Sequence, residues 1–141
     1  LDLAKAFDTV SHRLLIKKLE DNFCFRGPLL GWFTSYLSKR EHCVRINNIS
    51  SSSLEIKHGV RQGSVLRPLL FIIYTNDLFK LALKGTVIAY ADDTSMLYSA
   101  ATVMKINEDF AHDEEMLGLW FRDNFLSTFK CKEMLQYNLC L

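Results

Sequence analysis

Thr86-Val87-Ile88-Ala89-Tyr90-Ala91-Asp92-Asp93-Thr94-Ser95-Met96-Leu97-Tyr98 is the stretch on which the fold turns. Residues 86–91 and 94–98 are rich in β-branched and aromatic side chains, the composition of strands. The acidic pair between them is placed to form the tight turn of an antiparallel hairpin. Two carboxylates at the tip of an otherwise apolar hairpin repel each other, and keeping both ionised at the end of a buried sheet costs free energy unless a cation stands between them. A hard divalent ion such as Mg²⁺ suits carboxylate oxygens and keeps positions open for water and phosphate, as phosphoryl or nucleotidyl transfer requires. An ordinary solvated turn is the rival reading of the same pair, and the rest of the chain has to decide between them.

Working outward, residues 1–3 read as the end of a strand, so Asp2 could supply a third carboxylate from a neighbouring strand. Ser11 stands where an N-cap belongs, before a helical pattern through Leu14, Leu15, Leu19 and Phe23. Pro28 suits the first turn of a second amphipathic helix carrying Leu29, Leu30, Trp32, Phe33, Tyr36 and Leu37. Residues 42–47 and 53–58 are two short extended runs around a polar turn at 48–52, a second hairpin. From Val65 or Pro68 to about Lys80 the chain is apolar nearly all round, which predicts a central, deeply buried helix. Residues 101–124 predict a helix with Met104, Phe110, Leu117, Trp120 and Phe121 inward and Glu108, Asp109, Asp113, Glu114 and Glu115 on a solvated outer face.

With 141 residues, 49% hydrophobic and 23% charged, the chain is composed for one folded domain. A net charge of +1 gives no bulk argument for a polyanionic partner, but residues 1–68 hold 11 basic against 6 acidic side chains and residues 69–141 hold 6 against 10. The first half alone is suited to face a polyanion. Lys17, Lys18, Lys39, Arg40 and Arg45 read as ordinary surface charge, and Trp32, Tyr36 and Trp120, at helical spacing, as core rather than as base-stacking platforms. Four cysteines without a C-x-x-C pair or histidines at ligand spacing argue against zinc and against a disulfide framework, which favours a reducing, intracellular setting. The longest apolar run, Leu69 to Tyr74, is far short of the roughly 20 residues of a membrane helix. A start at Leu-Asp-Leu, without Met or signal-type segment, reads as a cut through a longer protein.

Three segments then carry a resemblance. Leu1-Asp2-Leu3-Ala4-Lys5-Ala6-Phe7-Asp8, Gly59-Val60-Arg61-Gln62-Gly63-Ser64-Val65-Leu66 and Tyr90-Ala91-Asp92-Asp93 occur in the order of reverse-transcriptase motifs, and the set resembles LINE-type, non-LTR retrotransposon reverse transcriptases. Trp120-Phe121, Asn124, Leu126-Ser127, Lys132 and Met134 look like the segment that follows the acidic hairpin in that family. The resemblance implies an α+β palm: an antiparallel sheet backed on one face by helices near 11–23, 68–80 and 101–122, its open face holding nucleic acid and metal. Residues 1–141 would be part of a reverse-transcriptase domain, with the fingers region and thumb lying beyond the two ends. The implied activity is RNA-directed DNA polymerisation, with an RNA template, a DNA primer and deoxynucleoside triphosphates as partners. Asp2 and Asp92 would bridge two Mg²⁺ ions, replaceable by Mn²⁺, with Asp93 completing the site. Phe7 would sit under the nucleotide sugar and select deoxyribose. Gln62 and Gly63 would touch the templating base pair and incoming nucleotide, and Lys132 would protonate the leaving pyrophosphate. Against these roles stand plainer ones: a core aromatic for Phe7, a turn for Gln62-Gly63, a surface lysine for Lys132.

Three positions depart from the family pattern. Arg61 replaces a proline, Arg67 a glycine and Phe129 a common asparagine. Arg61 frees a φ angle before Gln62 and Arg67 adds a long cation beside it, which predicts a looser loop or, alternatively, a phosphate ligand. Two hypotheses follow: a polymerase palm that acts only within a longer protein, or a non-enzymatic remnant serving as a nucleic-acid-binding or interaction module. An unrelated Mg²⁺ nuclease would need a further acid or a histidine base near the hairpin, and none of the four histidines is so placed.

Overall fold

The computed structural model describes residues 2–3, 5–126 and 128–130, with the strands at 2–3 and 128–130 as backbone only. In chain order the elements are β1 (Asp2–Leu3), α1 (Ala6–Thr9), α2 (His12–Phe23), α3 (Gly27–Leu37), β2 (Glu41–His42), β3 (Arg45–Ile46), β4 (Ile49–Ser50), β5 (Leu54–Glu55), α4 (Leu66–Thr75), a 3₁₀ segment Asn76–Lys80, β6 (Thr86–Tyr90), β7 (Asp93–Leu97), α5 (Val103–Asp123) and β8 (Thr128–Lys130). The class is mixed α+β.

Local chemistry fixes the helix ends. The Leu14 N–H donates to Ser11 Oγ at 3.4 Å, so Ser11 is the N-cap of α2, and Cys24 ends the helix in the left-handed region at φ 55°. Pro28 occupies the first turn of α3, and the Lys105 N–H donates to Thr102 Oγ1 at the start of α5. The core lies between these helices. Leu15 and Leu19 of α2, Leu70, Phe71 and Tyr74 of α4 are fully buried, and Leu117, Trp120 and Phe121 of α5 nearly so. Each aliphatic side chain so removed from water contributes about 1.5–3 kcal/mol.

Several helix readings need correction. The stretch from Leu66 is not buried all round, since Leu69 and Ile72 on α4 and Phe79 beyond it are about half exposed. It also tightens into 3₁₀ geometry at Asn76, where the apolar run ends. Asp113, expected on the solvated side of α5, is fully buried: its carboxylate accepts the backbone N–H groups of Lys84 and Gly85 at 2.8–3.0 Å and pairs with His112 at 3.0 Å. Lys18, expected at the surface, is buried, and donates to the Tyr74 carbonyl, Asp77 Oδ1 and Asn124 Oδ1. Trp32 departs in the other sense, half exposed and stacked on Tyr36 at 5.5 Å rather than in the core.

The main sheet has four antiparallel strands in the order β6-β7-β1-β8. Val87 and Met96 turn one face onto the helical core, and Thr94 is buried on that side. Ile88, Tyr90, Asp93, Ser95 and Leu97 lie exposed on the opposite face, as the two-residue alternation of strands requires. Between α3 and α4 the chain forms one irregular hairpin: β2 pairs with β5, β3 with β4, and Asn47 and Asn48 both take positive φ at its tip. The tip falls one residue earlier than the expected turn at 48–52, because two consecutive asparagines tolerate the left-handed conformation that a two-residue loop demands.

Candidate functional site

The hairpin of β6 and β7 closes through Ala91 and Asp92 alone, with Ala91 at φ 54°. Asp93 therefore does not share the turn, as the sequence suggested. It opens β7 and is paired on both sides, with Tyr90 of β6 and with Asp2 of β1. Tyr90, Asp93 and Asp2 thus form one row across the sheet, with Asp92 next to it at the tip. Tyr90 is 84% exposed on the open face, Asp93 is exposed and Asp92 half-buried.

Direct cross-strand neighbours stand about 4.5–5.5 Å apart at Cβ, and like charges in that relation destabilise a ladder. The Asp2-Asp93 register sets two acidic positions opposite each other, and on its other side Asp2 pairs with Lys130 of β8. Neither the Asp92 nor the Asp93 carboxylate has a hydrogen bond or ion pair to any described residue. Carboxylate oxygens not committed to partners among the described residues are the donor set a hard divalent ion takes. Among the described residues, whose side chains begin at Lys5, no group of three His, Cys, Asp or Glu could hold a metal ion. Lys132 lies outside the described residues.

Residues 57–60 run alongside residues 7–12 and tie the second motif to the first. Gly59 N–H donates to the Val10 carbonyl at 2.7 Å, Val60 N–H to the Phe7 carbonyl at 2.9 Å, and His12 Nε2–H to the Gly59 carbonyl at 2.7 Å. Glycine is needed at position 59: φ is 88°, and a Cβ there would stand 3.0 Å from the Asp8 carbonyl oxygen. From this anchor the loop Arg61-Gln62-Gly63 projects with Gln62 exposed and Gly63 at φ 76°, open space surrounding it. Arg61 opens a closed turn in this loop. Ser64 N–H closes a turn onto the Arg61 carbonyl at 3.2 Å, and the Ser64 hydroxyl meets the Tyr36 hydroxyl at 2.7 Å. Beside it a cleft of ≈ 660 Å³ is lined by Asp8, His12, Tyr36, Arg40, Arg61 and Gln62, among others.

Phe7 is half-buried, its ring 4.6 Å from that of Phe71. The Arg67 guanidinium lies over the same ring at 4.7 Å and its Nη2 reaches Asp8 Oδ1 at 3.5 Å. Sequence reasoning singled out Phe7 and Arg67 separately but missed their contact, which depends on how α1 meets the start of α4. The one available signal was the long side chain at position 67, where a small residue is usual.

Comparison with known proteins gives a consistent result. Residues 1–134 match the family model described as reverse transcriptase (RNA-dependent DNA polymerase). The chain is similar to the probable RNA-directed DNA polymerase from transposon BS of Drosophila melanogaster, 39% identical over 107 residues, which is 71% of this chain and 12% of that protein. It is similar also to the probable RNA-directed DNA polymerase from transposon X-element of the same organism, 35% identical over 102 residues, 70% of this chain and 11% of the relative. A retrovirus-related Pol polyprotein from type-1 retrotransposable element R2 of Popillia japonica is 28% identical over 109 residues, 69% of this chain and 18% of its own length. The chain thus spans less than a fifth of the length of these curated relatives.

Proposed function

Because the chain belongs to the reverse transcriptase (RNA-dependent DNA polymerase) family, we propose that it is the palm portion of a non-LTR retrotransposon polymerase that extends a DNA primer on an RNA template from deoxynucleoside triphosphates. The observation that supports this most is the row of Tyr90, Asp93 and Asp2 across the open sheet face, with Asp92 at its edge. Asp2, Asp92 and Asp93 would hold two Mg²⁺ ions, or Mn²⁺ in their place. When bound, those ions supply charge neutralisation for the triphosphate and acidify the primer 3′-hydroxyl.

The protein's own groups would do the positioning. Transfer of a phosphoryl group needs alignment and charge compensation more than covalent help, so acids at adjacent strand ends can serve as its core. Phe7 would support the sugar and disfavour a 2′-hydroxyl. Gln62 would offer amide hydrogen bonds to the base pair, and Gly63, in open space at positive φ, would let the backbone come close to it. Lys132 would deliver a proton to the departing pyrophosphate. No helix among the described residues is long and apolar enough to cross a membrane.

The test uses a longer protein containing this segment, assayed for template-primed DNA synthesis. Asp92→Asn should lower the rate by at least about a hundredfold, the usual scale for losing an electrostatic group from a transfer site. An undiminished rate would overturn the assigned role.

A further inference from the structure

We propose that Arg67 is a built-in competitor for the nucleotide sugar: in the free chain its guanidinium occupies the Phe7 ring face that deoxyribose needs, and nucleotide binding must displace it. The inference rests on the reading of Phe7 as the surface under the sugar.

Three observations carry it. The guanidinium lies over the Phe7 ring at 4.7 Å, so the ring is covered rather than open. It is tethered there by Asp8, 3.5 Å away and 65% exposed, while the Arg67 side chain itself is only 21% exposed. Arg67 also lies in the first turn of α4, where the positive end of the helix dipole disfavours a cation. The position is thus held by one cation–π contact and one surface ion pair against an unfavourable dipole. That makes Arg67 a displaceable cover rather than a fixed part of the core. With the cover in place deoxyribose and ribose are both kept off the ring. Once it is removed, deoxyribose can settle against Phe7 while the 2′-hydroxyl of ribose still clashes.

The experiment is isothermal titration of dATP and, separately, ATP, each with Mg²⁺, into the full chain, Arg67→Gly, Asp8→Asn and Asp92→Asn. Circular dichroism confirms folding, and Asp8→Asn, at an exposed position, tests the tether without touching the core. Arg67→Gly should bind dATP about three- to tenfold more tightly, the worth of one exposed cation–π contact plus one surface ion pair. Asp8→Asn should move the same way by less. Removing an acid strengthens binding of any triphosphate, so the deciding readout is the dATP-to-ATP affinity ratio, which should widen in both variants. If the parent chain binds dATP and Arg67→Gly binds it equally or more weakly, the competitor role is overturned, with the nucleotide-site reading intact. If the parent, Arg67→Gly and Asp8→Asn all fail to bind dATP, the nucleotide-site reading falls and the competitor with it. Binding by Arg67→Gly but not by the parent supports the proposal in its strongest form.

Discussion

A carboxylate read as solvated from its composition can be the most constrained group on its helix, and Asp113 shows how. The run Glu108, Asp109, Asp113, Glu114, Glu115 suggests a wet face, yet Asp113 stands four residues before Leu117 and seven before Trp120, on the stripe that faces the core. Periodicity held the signal and acidity obscured it. Lys18 repeats the case, lying three residues after Leu15 and next to Leu19. Asp113 is buried to receive the Lys84 and Gly85 N–H groups, the two donors that precede β6. Burial pushes its pKa up, but those backbone donors, followed by His112 and Tyr98, outweigh burial and hold it below the usual 3.8. Asp113→Ala would leave two partly buried N–H groups without their acceptor and should cost about 1–3 kcal/mol in urea unfolding. A carboxyl whose folded pKa is depressed gives its full stabilisation above the unfolded pKa and loses it as pH falls through the folded value. The stability gap between parent and Asp113→Asn should therefore be constant above about pH 5 and close below pH 3.8. A gap unaltered on acidification would show that the charge contributes nothing.

Element boundaries follow sequence chemistry where a local rule applies and escape it where a distant contact decides. The strands of the acidic hairpin, expected at 86–91 and 94–98, run 86–90 and 93–97. Asp93 joins β7 because the two-residue turn pairs it with Tyr90, and β1 pairs with it from the other side, a long-range partner that no local pattern displays. The row of Asp2, Asp93 and Tyr90 was accordingly legible only as separate motifs, whereas the Ser11 cap and the Pro28 start were legible in full. The approach to β6 depends on such a distant contact. A Cβ on Gly85 would stand 2.6 Å from Tyr98 Cε1, inside any tolerable separation. The Tyr98 ring also stacks edge-on with Phe110, 5.9 Å between centroids, so it has little room to withdraw. Burial first, then the nearby Asp113, Asp109 and Glu114 carboxylates, keep its hydroxyl protonated well above the ordinary tyrosine range. Gly85→Ala should lower stability by about 1–3 kcal/mol, the cost of overpacking a filled site, and Tyr98→Leu should relieve most of it. Equal losses with and without Tyr98 would place the cause in the backbone instead.

Across the whole molecule, a single buried cation holds the helical layer together on which the sheet rests. Lys18 reaches from α2 to Tyr74 of α4 at 2.5 Å, to Asp77 of the 3₁₀ segment at 2.8 Å and to Asn124 at the end of α5. Asp77 is held in turn by Trp120 Nε1–H at 3.2 Å, and Tyr74 donates its hydroxyl to the Asn124 carbonyl at 2.7 Å. Three elements distant in sequence thus converge on one ammonium group, which positions the core beneath Val87 and Met96 and hence the hairpin above them. Removing one member of such a buried set leaves the others without partners, at about 3 kcal/mol or more. Lys18→Met should lose that much despite matching the side chain in length. The same network gives a signature in pH. Burial lowers the Lys18 pKa more than Asp77 raises it, so between the folded value and 10.5 the unfolded chain binds more protons and stability rises with pH. Tyr74 acts oppositely, since burial raises its pKa, and its effect begins only near pH 10, where the unfolded tyrosine ionises first. Urea midpoints of the parent chain should therefore gain a rising contribution as pH approaches 10 from below, and Lys18→Met should lack it. A rise of equal slope in both proteins would show that Lys18 is not the group being titrated.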